Sequence, residues 1–125
     1  MGDIMVVNKL ILSVNEVDAL ENVIRDSIIN YENIRYYLGI DKESIIKYSL
    51  FFNKVDDVFD VEDIKEAEVE LSLDVNDELK IIIQHYINRN VDRIDNEEKS
   101  ILIDIIEKLD CIKEVEISNV MSYRV

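Results

Sequence analysis

Eight carboxylates crowd residues 56–70: Asp56, Asp57, Asp60, Glu62, Asp63, Glu66, Glu68 and Glu70, with Lys65 the one base among them. Oxygen ligands at that density could hold Ca²⁺ or Mg²⁺. The segment has no glycine-turn spacing of a calcium loop, and neither glycine pattern that cradles phosphate occurs in the chain. Paired carboxylates could also serve glycoside hydrolysis, but acids are so widespread here that no pair stands out. His85 is the single histidine, without the second histidine or the cysteines of a zinc set, and reads as a boundary residue. Cys111 is also alone, so neither an internal disulfide nor a cysteine zinc site can form, and its acidic surroundings argue against a reactive thiolate. Neither Cys111 nor any serine lies in a recognisable nucleophile motif. The expectation is a protein with no catalytic residues, no cofactor and no metal.

What the acids can do is electrostatic. Fourteen basic residues against twenty-eight acidic ones give a formal charge of −14. That field repels phosphate backbones and anionic lipid, so neither nucleic acid nor a membrane surface is an expected partner. It favours fast encounter with a basic protein surface. Aromatic side chains supply much of interface energy. The adjacent pairs Tyr36-Tyr37 and Phe51-Phe52 either widen a buried face between helices or turn one member outward. The candidate partner-binding residues are therefore Asp56, Asp57, Asp60, Glu62, Asp63 and Glu66, with Tyr36 and Phe51 as aromatic anchors.

The elements that position these residues follow from periodicity. Residues 66–73 alternate, with Ala67, Val69, Leu71 and Leu73 against Glu66, Glu68, Glu70 and Ser72, the mark of a half-buried strand. From Leu79 the spacing changes to three and four through Ile82, Ile83, Tyr86 and Ile87, which predicts a helix over 74–90 capped by Asp74 or Asn76. The same switch occurs earlier. A strand over 4–14 turns Val6, Leu10 and Leu12 inward, and Asn15 caps a helix over 15–38 that stops at Gly39. Helices over 41–59 and 95–109, the second capped by Asp95, and a closing strand over 113–120 complete the pattern, with 121–125 a strand extension or tail.

The fold class is therefore α+β: about three mainly antiparallel strands packed on four helices, in the order β-α-α-β-α-α-β. Placing the first strand centrally sets Lys9 between the Glu66/Glu68/Glu70 and Glu114/Glu116 faces and relieves like-charge contacts. Leu12-Ser13 matches Leu71-Ser72, Leu20 matches Leu79, and Ile40-Asp41 matches Ile94-Asp95. These matches suggest a degenerate repeat with halves 4–60 and 66–120, although any two amphipathic helices after strands share such spacing.

The 125 residues suit one domain, and 48% hydrophobic with 34% charged residues describe a folded, soluble chain. No signal-like segment or membrane-length apolar run occurs, so cytoplasmic residence is expected. The function expected is a small acidic binding protein that occupies a basic functional surface of a protein partner. Inhibitors of the immunity, antitoxin and phage anti-defence kinds share its size and charge. The alternative is a structural or regulatory domain that forms a homodimer through an apolar helix face.

Overall fold

A computed structural model describes the backbone of residues 4–111 and 113–116 and the side chains of 8–111. The order is β1 (Ile4–Ser13), α1 (Val14–Ile29), α2 (Tyr31–Leu38), α3 (Lys42–Glu62), β2 (Glu66–Ser72), α4 (Leu73–Arg89), α5 (Asn96–Asp110) and β3 (Lys113–Glu116). The class is α+β, with five helices and an antiparallel sheet ordered β2-β1-β3.

Both strand-to-helix switches turn on a serine. Ser13, not Asn15, caps α1: its Oγ accepts from the Glu16 N–H at 3.2 Å, and Glu16 Oε1 accepts from the Ser13 N–H at 2.9 Å. This reciprocal box satisfies two donors that the first helical turn leaves open. Ser72 caps α4, accepting from the Val75 N–H at 3.4 Å, so neither Asp74 nor Asn76 does so. Asp95 caps α5 as expected, accepting from the Glu98 N–H at 2.7 Å.

The single helix expected over 15–38 is two helices. The Asn30 amide donates to the Asp26 carbonyl at 3.0 Å and to Asp26 Oδ1 at 3.1 Å. A short amide that bonds back to the preceding turn competes with helix continuation, and α1 stops at Ile29. Asn90 ends α4 by the same means, donating to the Tyr86 carbonyl at 2.9 Å. Gly39 closes α2 at φ 67°, a left-handed conformation that costs glycine nothing. The expected repeat is accordingly not reproduced element for element, since the first half holds three helices and the second two.

β1 and β2 pair with Leu10 opposite Val69 and Ser13 opposite Glu66. Leu10, Leu12, Ala67, Val69 and Leu71 are buried, joined by Val17, Leu20 and Ile24 of α1, Ile45, Phe52 and Val55 of α3, Leu79 and Ile83 of α4, and Leu102 and Ile105 of α5. Lys9 lies opposite Glu70 and its ammonium meets Glu68 at 2.9 Å. Glu114 and Glu116 register with Val6 and Ile4 instead, so Lys9 does not stand between two acidic strands. The facing of Val6, Val7, Glu114, Val115 and Glu116 side chains, and the expected continuation of the last strand over 117–120 and the tail over 121–125, lie outside the described residues.

Candidate partner-binding surface

The acidic segment forms the end of α3 and the edge of β2. Asp57, Asp60, Glu62, Asp63 and Glu66 are exposed, and Asp56 is half-buried. None of these six joins an ion pair among the described residues; the pairs present are Lys9–Glu68, Lys80–Asp110, Arg89–Asp26 and Lys108–Glu16. No basic residue stands in the last turn of α3, and Asp63 closes the helix at φ 51°. Negative charge at a helix C-terminus opposes the macrodipole, and a left-handed conformation is strained for a residue with a Cβ. Packing must therefore carry this helix end against its own electrostatics. It does so through Val55 and Phe59, both buried.

α1 adds acids that the linear sequence does not join to this group. Asp18 and Glu21 meet Asp56, with carboxylate oxygens of all three within 4.8 Å of one another. Burial, followed by the charges of Asp56 and Asp18, pushes the Glu21 carboxyl up to about 7. Asp56 is raised as well, by burial and then by Asp18 and Asp60. Three oxygens so placed could ligate a hard cation or share a proton. The i, i+3 spacing of Asp18 and Glu21 shows that they share a helix face, but only the packing of α1 on α3 brings that face to Asp56.

The two candidate anchors part company. Tyr36 is 81% exposed and meets Tyr37 edge-on at 4.9 Å. Tyr37 in turn lies 5.8 Å from the His85 ring, whose Nε2 is 2.8 Å from Asn33 Oδ1. Burial and the Arg89 charge hold the His85 imidazole below its ordinary range. Phe51, by contrast, is only 7% exposed and packs edge-on against Phe52 at 5.0 Å. Both rings of that pair serve a wide buried face of α3, so Phe51 is not a surface anchor. Nor do Tyr36 and the acids form one patch. α2 adjoins the start of α3, where Lys42 Nζ lies 5.7 Å over the Tyr31 ring. Asp56 is fourteen residues further on, roughly 20 Å along the helix axis.

Sequence reasoning also missed a buried amide pair. Alternation places Asn8 on the face of Leu10 and Leu12, and it is fully buried, as is Asn76. Asn8 Nδ2 donates to Asn76 Oδ1 and, at 3.2 Å, to the Lys108 carbonyl, while Asn76 Nδ2 donates to the Leu109 carbonyl at 2.7 Å. Asn76 thereby satisfies the Leu109 carbonyl at the end of α5, and Asn8 adds a second donor to the Lys108 carbonyl, which also accepts from the Cys111 N–H at 3.2 Å. Beside them an open cleft of about 390 Å³ runs along β1, with Cys111, which is exposed, at its wall.

No helix among the described residues is long and apolar enough to cross a membrane. The chain matches no family model, no curated protein and no solved structure.

Proposed function

We propose that this protein is a small acidic, non-enzymatic binding protein whose α3–β2 face occupies a basic functional surface of a protein partner, as an inhibitor of the immunity, antitoxin or anti-defence kind. The observation that supports this reading most is the state of the acids at the end of α3. They are unpaired among the described residues, set against the helix dipole, and closed by a strained Asp63. An arrangement that opposes its own helix supports a role outside the fold. Exposed charge of one sign steers an oppositely charged partner and is screened over a Debye length of about 8 Å near physiological salt. Capture of partners from the native host at two salt concentrations tests the reading. With a partner identified, reversing Asp57, Asp60, Glu62 and Asp63 to Lys slows association and flattens its salt dependence. Unchanged association kinetics in that folded variant would remove the electrostatic part of the proposal.

Tyr36 contributes separately in this reading, as an anchor at the other end of α3. Tyr36→Ala speeds dissociation, at about 2 kcal/mol if the ring sits at a hot spot. The alternative of a self-associating domain is favoured by Ile46 and Leu50, 40% and 57% exposed one turn apart on α3. Sedimentation equilibrium separates the two, because a monomer at all working concentrations removes the second.

A further inference from the structure

β1 pairs with β2 from Val7 to Ser13, and over that stretch its other side is satisfied only in part. Val14 N–H donates to the Lys65 carbonyl at 3.2 Å, continuing the register that pairs Ser13 with Glu66. In an antiparallel ladder alternate residues bond to opposite sides, so even-numbered residues of β1 bond to β2 and odd-numbered ones face away. β3 covers that second side only from Ile4 to Val7. Lys9, Ile11 and Ser13 therefore form an edge that no strand pairs among the described residues.

The edge is only partly closed by side chains. The Ser13 N–H is taken by Glu16, and Lys108 Nζ donates to the Ile11 carbonyl at 2.8 Å and to Glu16 Oε1 at 2.6 Å. The N–H groups of Lys9 and Ile11 and the Lys9 carbonyl face the cleft. Charged side chains are how an open edge is commonly blunted. Here the guard is a single lysine, 39% exposed, which can stay on Glu16 while releasing the Ile11 carbonyl. The cleft and the groove continuing from it carry Glu16, Glu66, Asp104 and Glu107 against Lys9 and Lys108. Both ammoniums are already engaged, by Glu68 and Glu16, which leaves Glu66, Asp104 and Glu107 without a basic partner among the described residues.

We propose that the open edge of β1 at Lys9–Ser13 takes up an extended, basic segment of a partner protein as an added antiparallel or parallel strand. This rests on the binding function proposed above and names its mode. Main-chain bonds to Lys9 and Ile11 supply the register, and alternate side chains supply the selectivity. Side chains of the added strand on the helix-facing side meet Asp104 and Glu107 of α5. Those on the other side lie along Ile11, which is 51% exposed. The matching segment therefore alternates basic and apolar residues. A second copy of this chain is the poorer occupant, because its formal charge of −14 opposes close approach.

The test uses the full chain and an acetylated, amidated peptide of alternating lysine and valine, about six residues long to span the edge. The peptide should bind and slow amide hydrogen exchange at Lys9 and Ile11. N-methylation of the amides that face β1 should weaken binding at least ten-fold, and the double variant Asp104→Lys/Glu107→Lys should weaken it about as much. Lys108→Met, which removes the guard, should tighten it several-fold. Equal binding of the methylated peptide, or exchange protection centred on Asp57 and Asp60, overturns strand addition while leaving the acidic-face reading intact. Equal affinity for a threonine–valine peptide at Lys9 and Ile11 overturns the basic partner instead. Protection of that edge by a dimer of the chain alone assigns the edge to a second copy and overturns the proposal.

Discussion

Two helix ends in this protein are built on opposite terms. α5 finishes with Lys108 in its last turn, its carbonyls met by the buried amides of Asn8 and Asn76, and Asp110 paired with Lys80 at 2.7 Å. α3 finishes with acids alone, no base in its last turn, and Asp63 left-handed. At α5 the acids Glu107 and Asp110 are offset by Lys108 and by the Lys80–Asp110 pair, and the buried Leu109 carbonyl finds a donor in Asn76, while Asn8 Oδ1 is buried without a hydrogen-bond partner among the described residues. Every device at α3 subtracts from stability. The proposal of a binding surface at the end of α3 rests on this contrast.

The contrast can be broken first at α5. Asn76→Ala leaves the Leu109 carbonyl and an Asn8 donor buried without partners, so urea unfolding should show a loss of about 3 kcal/mol. A loss below about 1 kcal/mol would mean that water replaces the amide, and that this end is not specially built.

Charge reversal at α3 should act with the opposite sign. Asp60→Lys with Glu62→Lys favours the dipole and relieves repulsion, for a gain of about 1 kcal/mol in the same measurement. Lys108→Glu at α5, a change of half the size and opposite sign in charge, should destabilise. Equal signs at the two ends would erase the distinction drawn between them.

The carboxylate cluster sharpens it through pH. The Glu21 carboxyl rises from 4.5 to about 7 on folding. Between those values the folded protein holds a proton that the unfolded chain releases, so stability falls as pH rises through the window and is lowest above it. Glu21→Gln should therefore raise the melting temperature at pH 8 and leave it nearly unchanged at pH 5. A gain of equal size at both pH values would show that ionising Glu21, against its burial and then the charges of Asp56 and Asp18, is not its source.

The smallest effect is expected at Asp63. Glycine tolerates φ 51° without steric cost, so Asp63→Gly should add about 0.5 kcal/mol while removing one charge from the proposed binding face. Asp63→Asn, which removes the charge and keeps the Cβ, separates the two contributions.

Periodicity alone determined a good deal. The core stripe of α3 (Ile45, Tyr48, Phe52, Val55 and Phe59) is buried throughout, and so are Leu102, Ile105 and Leu109 of α5. A helix face or a strand face is set by spacing within one segment, and apolar burial enforces it wherever the segment packs. The α+β class, the change from strand to helix near Leu12 and Leu71, and the cap at Asp95 were legible for the same local reason. Other features depended on which segments meet. Asn8 was visible on the inward face of β1, but its value as a buried donor depends on Asn76 and the end of α5, 68 and 100 residues away. Glu21 became unusual only because α1 lies against Asp56 on α3. Phe51 and Tyr36, alike as members of aromatic pairs, went to opposite environments because the long α3 packs extensively on α1 whereas the short α2 makes only slight contact with α1 and α4. Spacing orients a side chain about its own element. What that side chain touches, and hence its charge state, its hydrogen bonds and its availability to a partner, is decided by elements distant in sequence.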